Sequence, residues 1–123
     1  MSAIGLRGIR GATCLQHDDA QEMADAVAEL LGEMLGRNGI DPASVVSVIL
    51  TCTPDLTSAF PAAGARAFGL TDTPLMCAQE MNVDGALERV VRILAHVESA
   101  TPRSNIQHVY LRGAEVLRQD LIP

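Results

Sequence analysis

Apolar residues recur along the chain at two spacings, and the switch from one to the other marks its elements. Residues 4–12 read as a strand with glycines at 5, 8 and 11, and alternation puts Ile4, Leu6 and Arg10 on one face. Asp18 or Asp19 can cap a helix reaching about Arg37. Met23, Val27, Leu30, Leu31 and Met34 form its apolar stripe, and Gly36 and Gly39 close it. Asp41-Pro42 pairs a cap with a first-turn proline and starts a short helical turn. Val45–Cys52 is apolar on both faces, the pattern of a central strand covered on both sides.

A loop over 53–60 leads to Pro61, which opens a short helix to Phe68, and 74–81 begins as a strand and ends as a loop. Asp84 can cap a third helix to about residue 99, with Leu87, Val90, Val91, Leu94 and Val97 inward. Residues 106–111 and 114–118 read as two strands around a tight Arg112-Gly113 turn. The order β-α-β-α-β-α-β-β predicts an α/β (α+β) domain over 1–123, with a mixed sheet and helices on one face. Such a sheet leaves its other face uncovered.

Composition narrows the function more than the fold. Hydrophobic residues are 48% of 123, enough for one core and too many for a disordered chain. The net charge is −6, and six of the fifteen acids (Asp18, Asp19, Glu22, Asp25, Glu29, Glu33) fall in one helical segment. An acidic chain without a basic run argues against nucleic acid and against a membrane surface. All nine basic residues are Arg, a genome-wide bias or a use of the rigid bidentate fork that grips carboxylates. Three cysteines (Cys14, Cys52, Cys77) with no C-x-x-C pair, no signal peptide and no long apolar run read as a reduced, cytoplasmic protein.

No metal is expected, because His17, His96 and His108 lie far apart and Cys77 with Glu80 is not a zinc pattern. Cys77 and His108 lack a third, orienting residue, so a thiolate nucleophile is not expected either. Gly5-x-x-Gly8-x-x-Gly11 has neither the spacing nor the following helix of a phosphate-binding loop; close backbone approach or a bulge is the expected use. On pattern alone Arg92 is a surface partner for Glu88 four residues earlier, and Tyr110 and Cys77 are packing residues.

Four segments change that reading: Ile9-Arg10-Gly11-Ala12-Thr13, Thr53-Pro54-Asp55-Leu56-Thr57-Ser58-Ala59-Phe60-Pro61-Ala62, Cys77-Ala78-Gln79-Glu80-Met81 and His108-Val109-Tyr110-Leu111. In order and interval they resemble the AroH-type chorismate mutases over about 6–121. The resemblance implies a pseudo-barrel homotrimer with sites at subunit interfaces, no cofactor, and an isomerase of the shikimate pathway that converts chorismate to prephenate for Phe and Tyr biosynthesis. Such a Claisen rearrangement needs a dianion held in a compact shape and a cation at the departing ether oxygen. The resemblance implies that Arg92 faces that oxygen, Arg10 and Tyr110 hold substrate carboxylates, and Glu80 and Cys77 lie near the ring. It implies a wall and rim from Phe60 and Arg66, and closure by Leu117 and Arg118.

The departures are at the rim. Ala62-Ala63-Gly64 stands where the family often has a lysine, Met76 where a threonine can occur, and one residue is missing between Phe68 and Pro74. The alternative is a trimeric Rid-like protein that binds carboxylates or processes imines without mutase activity.

Overall fold

The computed structural model describes residues 3–121, with side chains described up to Leu117. Among the described residues five strands form one mixed sheet in the order β3-β2-β4-β1-β5. They are β1 (Gly5–Cys14), β2 (Val45–Cys52), β3 (Leu75–Gln79), β4 (Val90–Ser99) and β5 (Val109–Tyr110), with helices α1 (Ala20–Arg37) and α2 (Pro61–Phe68). β4 runs antiparallel to β1 and β2, while β3 is parallel to β2 and β5 parallel to β1. The expected class, a mixed sheet with helices, holds.

Helix α1 forms where the stripe places it. Asp19 is the cap, accepting from the Glu22 amide at 2.8 Å, and Met23, Val27, Leu30, Leu31 and Met34 are all buried. Gly36 lies inside the helix; Asn38 and Gly39 (φ 62) end it. The asparagine also joins the helix end to the approach to β5, exchanging bonds of 2.8 Å with the Gln107 carbonyl and amide. α1 packs on β1 where Gly11 has no side chain: a Cβ there would meet Met34 and lie 3.0 Å from Leu30 Cδ1. Gly64 does the same for α2, where a Cβ would lie 2.8 Å from Val27 Cβ. Of the β1 glycines, Gly11 serves close approach, and β1 pairs with β4 without a bulge from Gly5 to Cys14.

Two expected elements are different. The segment ending near residue 99 is a strand, with its helix-like spacing overruled by the sheet. Val91, Ile93, Ala95 and Val97 point to the helices at period two, β-branched residues favour the pleat, and positive φ at Gly85 and Arg89 prevents a helix before Val90. β4 and not β2 is therefore the middle of the sheet. The 114–118 segment is a 3₁₀ helix, Ala114–Leu121, and β5 keeps two residues of the expected six. Its pairing with β1 ends where His108 Nδ1 accepts from the Arg10 amide at 2.9 Å, a side chain in the place of a ladder carbonyl. Arg112 and Gly113 both take positive φ, 53° and 93°, and turn the chain onto the helix side instead of into a hairpin.

β2 has one covered face. Val48 and Leu50 are buried beneath the helices, while Ser47, Ile49 and Thr51 on the other side remain partly exposed in the single chain. The same open face carries Leu6 at 62% exposure and Met76 at 64%. Large apolar side chains left exposed on a sheet face that no helix covers suit a surface that a neighbouring molecule covers.

Candidate active site

The open face of the sheet collects most of the charged residues singled out in the sequence. Ladder register sets one row across four strands: Tyr110 on β5 beside Ala12 on β1, Ala12 beside Arg92 on β4, and Arg92 beside Thr51 on β2. The next row along carries Arg10 beside Leu94 and Leu94 beside Ile49. Between the rows lies a cavity of about 270 Å³ bordered by Arg10, Ala12, Ile49, Thr51, Arg92 and Tyr110. Ala12, the small residue of the row, is its floor. A strand carries two consecutive outward residues only at every second position, so Arg10 and Ala12 must share this face once Gly11 faces α1.

Arg92 does not pair with Glu88. Its Nε lies 3.1 Å from Oε1 of Glu80, and the same oxygen accepts a short hydrogen bond from Thr51 Oγ1. Glu80 sits just past β3, where its amide donates to the Cys52 carbonyl at 2.9 Å, and this anchors the side chain so that it reaches over the open face. Its side chain is 18% exposed against 45% for Arg92, so the carboxylate is the more enclosed partner. The bonds to Arg92 and Thr51 both use Oε1, leaving Oε2 to accept from a ligand. Thr51 was not among the sequence candidates. Its only signal there is a hydroxyl on the outward side of an apolar strand; its partner lies 29 residues away in sequence.

Cys77 and Phe60 are placed apart from this group. Cys77 pairs with Leu50 and packs against the core on the helix side. With Cys52, Thr57, Ser58 and Phe60 it borders a second cavity of about 490 Å³ at the end of β2 and β3. Phe60 is 74% exposed there and immediately precedes α2, which carries an exposed Arg66. The loop between is pinned at its base, with Thr53 Oγ1 accepting from the Val90 amide at 3.0 Å and Asp55 from the Arg89 amide at 2.9 Å. Leu117 is half-buried on the 3₁₀ helix and borders neither cavity. The side chain of Arg118 lies outside the described residues. Burial raises the Cys52 thiol above its ordinary range, with Cys77 adding to the effect. No cluster of three or more His, Cys, Asp or Glu suited to a metal occurs among the described residues.

The molecule thus presents two separate groups: two guanidiniums, a phenol and a carboxylate on the sheet face, and a thiol with an aromatic side chain at the sheet end. The family model for chorismate mutase type I matches residues 6–121. Chorismate mutase AroH of Thermus thermophilus is 47% identical over 117 residues, covering 94% of this chain and 96% of that protein. Chorismate mutase AroH of Bacillus subtilis is 39% identical over 117 residues, covering 94% and 92%. A solved chorismate mutase from Clostridium thermocellum resembles the fold with a TM-score of 0.87 at 43% identity, covering 89% of this chain and 97% of that one. These matches give no support to the Rid-like alternative. The chain belongs to the type I chorismate mutase family.

Proposed function

We propose that this protein is a chorismate mutase whose site is built from Arg10, Arg92, Tyr110 and Glu80 of the sheet face, completed by Phe60, Arg66, Cys77, Leu117 and Arg118. The reading is supported above all by the grouping of Arg10, Arg92 and Tyr110 around one cavity with Glu80 holding Arg92. Its product, prephenate, feeds Phe and Tyr biosynthesis.

In the rearrangement the ether carbon–oxygen bond breaks as a carbon–carbon bond forms within one molecule, so no nucleophile or proton donor is required. Negative charge grows on the ether oxygen and positive charge on the ring. Arg92 meets the first: Nε is engaged by Glu80, so the guanidinium is held in orientation while its terminal N–H groups remain for the oxygen. Glu80 meets the second, its free Oε2 accepting from the ring hydroxyl and its charge favouring the developing cation. Arg10 and Tyr110 fix the two carboxylates in the compact conformer, which converts rotational freedom into reach between the reacting carbons. Even a modest acceleration requires about 8 kcal/mol off the barrier, within the range of preorganised charge in a water-poor pocket.

The same proposal includes a homotrimer. Leu6 and Met76 on an open face, and half-sites that lie on different sides of one sheet, both call for a neighbouring subunit. Light scattering that gave a monomer at working concentrations would exclude a shared site. Three free cysteines agree with a reduced, cytoplasmic setting, and no helix among the described residues is long and apolar enough to cross a membrane.

The deciding experiment follows the loss of chorismate's diene absorbance on addition of the protein, with Arg92→Ala and Arg92→Lys as controls. Rapid loss with the wild type and a fall of roughly 10²–10³ in kcat with each variant is expected, since an ammonium does not reproduce the fork. A folded protein without turnover would leave only carboxylate binding.

A further inference from the structure

The acidic stretch before and along α1 takes no part in the chemistry above, yet one of its members is tied to the second cavity. Asp18, exposed ahead of α1, accepts at Oδ1 from the amides of Thr57 and Ser58, both at 3.0 Å. Its Oδ2 accepts from Thr57 Oγ1 at 2.8 Å, and its backbone carbonyl accepts from Ser58 Oγ at 2.7 Å. Asp18 is itself held in place. Glu22, on the first turn of α1, accepts from the amides of Gln16 and His17 at 2.5 and 3.1 Å, fixing the turn from which Asp18 projects. Thr57 and Ser58 border the 490 Å³ cavity, and Phe60 lies two residues beyond.

We propose that Asp18 is a positioning residue for the substrate: by clasping Thr57 and Ser58 it fixes where the Phe60 wall stands. It touches no ligand and acts only through the loop. The proposal rests on the reading of this cavity as half of the mutase site. The carboxylate accepts from both amides and the Thr57 hydroxyl of a two-residue stretch that has no ladder of its own, and the Asp18 carbonyl takes the Ser58 hydroxyl, so Asp18 replaces the pairing that a strand would have provided. Arg92 and Glu80 are held by separate bonds on the open face. Release of the loop should therefore affect ground-state binding far more than the chemical step.

Asp18→Ala is expected to raise KM about tenfold with kcat within about twofold of wild type. Asp18→Asn keeps a carbonyl for the two amides and can donate to Thr57 Oγ1, and should return KM to within about threefold. Exchange of the Ser58 amide with deuterium should speed up at least about tenfold in the alanine variant and little in the asparagine variant. Thr57→Val with Ser58→Ala, which leaves the carboxylate in place, guards against misfolding of Asp18→Ala and should raise KM about threefold. An unchanged KM in Asp18→Ala with wild-type turnover intact, an asparagine variant as impaired as the alanine one, or unchanged Ser58 exchange would each overturn the proposal. Absence of turnover in the wild type would overturn the reading beneath it as well.

Discussion

Thr51 and Arg92 face each other across β2 and β4 and converge on a single oxygen, Oε1 of Glu80. Thr51→Val keeps the shape of the side chain and removes the hydroxyl. Glu80 then loses one of its two tethers, and Arg92 its fixed orientation. The expected result is a drop in kcat of about tenfold with melting temperature nearly unchanged. If steady-state kinetics showed a wild-type kcat, Thr51 would be a strand residue and nothing more.

Gly11 and Gly64 are the points where sheet and helices, and helix and helix, come closest. Gly11→Ala sets a methyl against Met34 and Leu30, and Gly64→Ala sets one against Val27. Each should lower stability by about 1–3 kcal/mol in urea denaturation. Gly36, inside α1 with open space around it, is the contrasting case: alanine there should be neutral or stabilising by up to about 1 kcal/mol. Equal effects at all three would show that backbone entropy and not crowding sets the outcome.

Among the described residues, three carboxylates are held below their ordinary range: Asp18 chiefly by the Thr57 side chain, Glu22 by the Gln16 amide and Glu29 by Arg112. The last is a two-point contact, Arg112 Nε and Nη2 donating to Glu29 at 2.9 and 3.0 Å. A carboxylate whose folded value is depressed stabilises the fold above its unfolded value of about 4, and that contribution is lost as pH falls through the folded value. The urea midpoint should be level from about pH 7 to 5 and should drop below about pH 4. Glu29→Gln should shrink the drop; one of wild-type size would remove Glu29 from this account.

Cys77 borders the aromatic wall and packs against the core. Because the rearrangement uses no nucleophile, Cys77→Ser should keep kcat within about threefold. A loss of three orders of magnitude would instead demand covalent chemistry. Cys52, its thiol raised by burial, should resist alkylation at neutral pH.

The sequence made some of this legible and hid the rest for definable reasons. The stripe from Met23 to Met34 has no competing period, and α1 lies where it predicts. The 90–97 stretch is ambiguous, because Val90, Val91, Leu94 and Val97 fit a helix while Val91, Ile93, Ala95 and Val97 fit a strand. Partners more than thirty residues away, β1 and β2, settle it. The family resemblance singled out Arg92 although its element was misread, and the correction explains its neighbours: on a strand it stands beside Ala12 and Thr51. Thr51 itself could not be found, since nothing local announces a bond to Glu80. The separation of Cys77 from Glu80 follows from pleating and the end of β3, which no spacing rule for a loop would give.

Ala12 stands between Tyr110 and Arg92, one strand from each. Neighbouring strands are about 4.8 Å apart, so the backbones that carry Tyr110 and Arg92 are separated by roughly two strand widths, about 10 Å. The backbone ladder acts here as a ruler whose divisions no side chain can stretch. Substitutions under the helices can loosen the molecule without changing that measure, whereas a one-residue slip of β1 would turn both arginine-bearing rows out of alignment while the sheet still formed. In the proposed site, the span between the group that holds a carboxylate and the group that meets the ether oxygen is therefore set by hydrogen-bond spacing and not by side-chain packing.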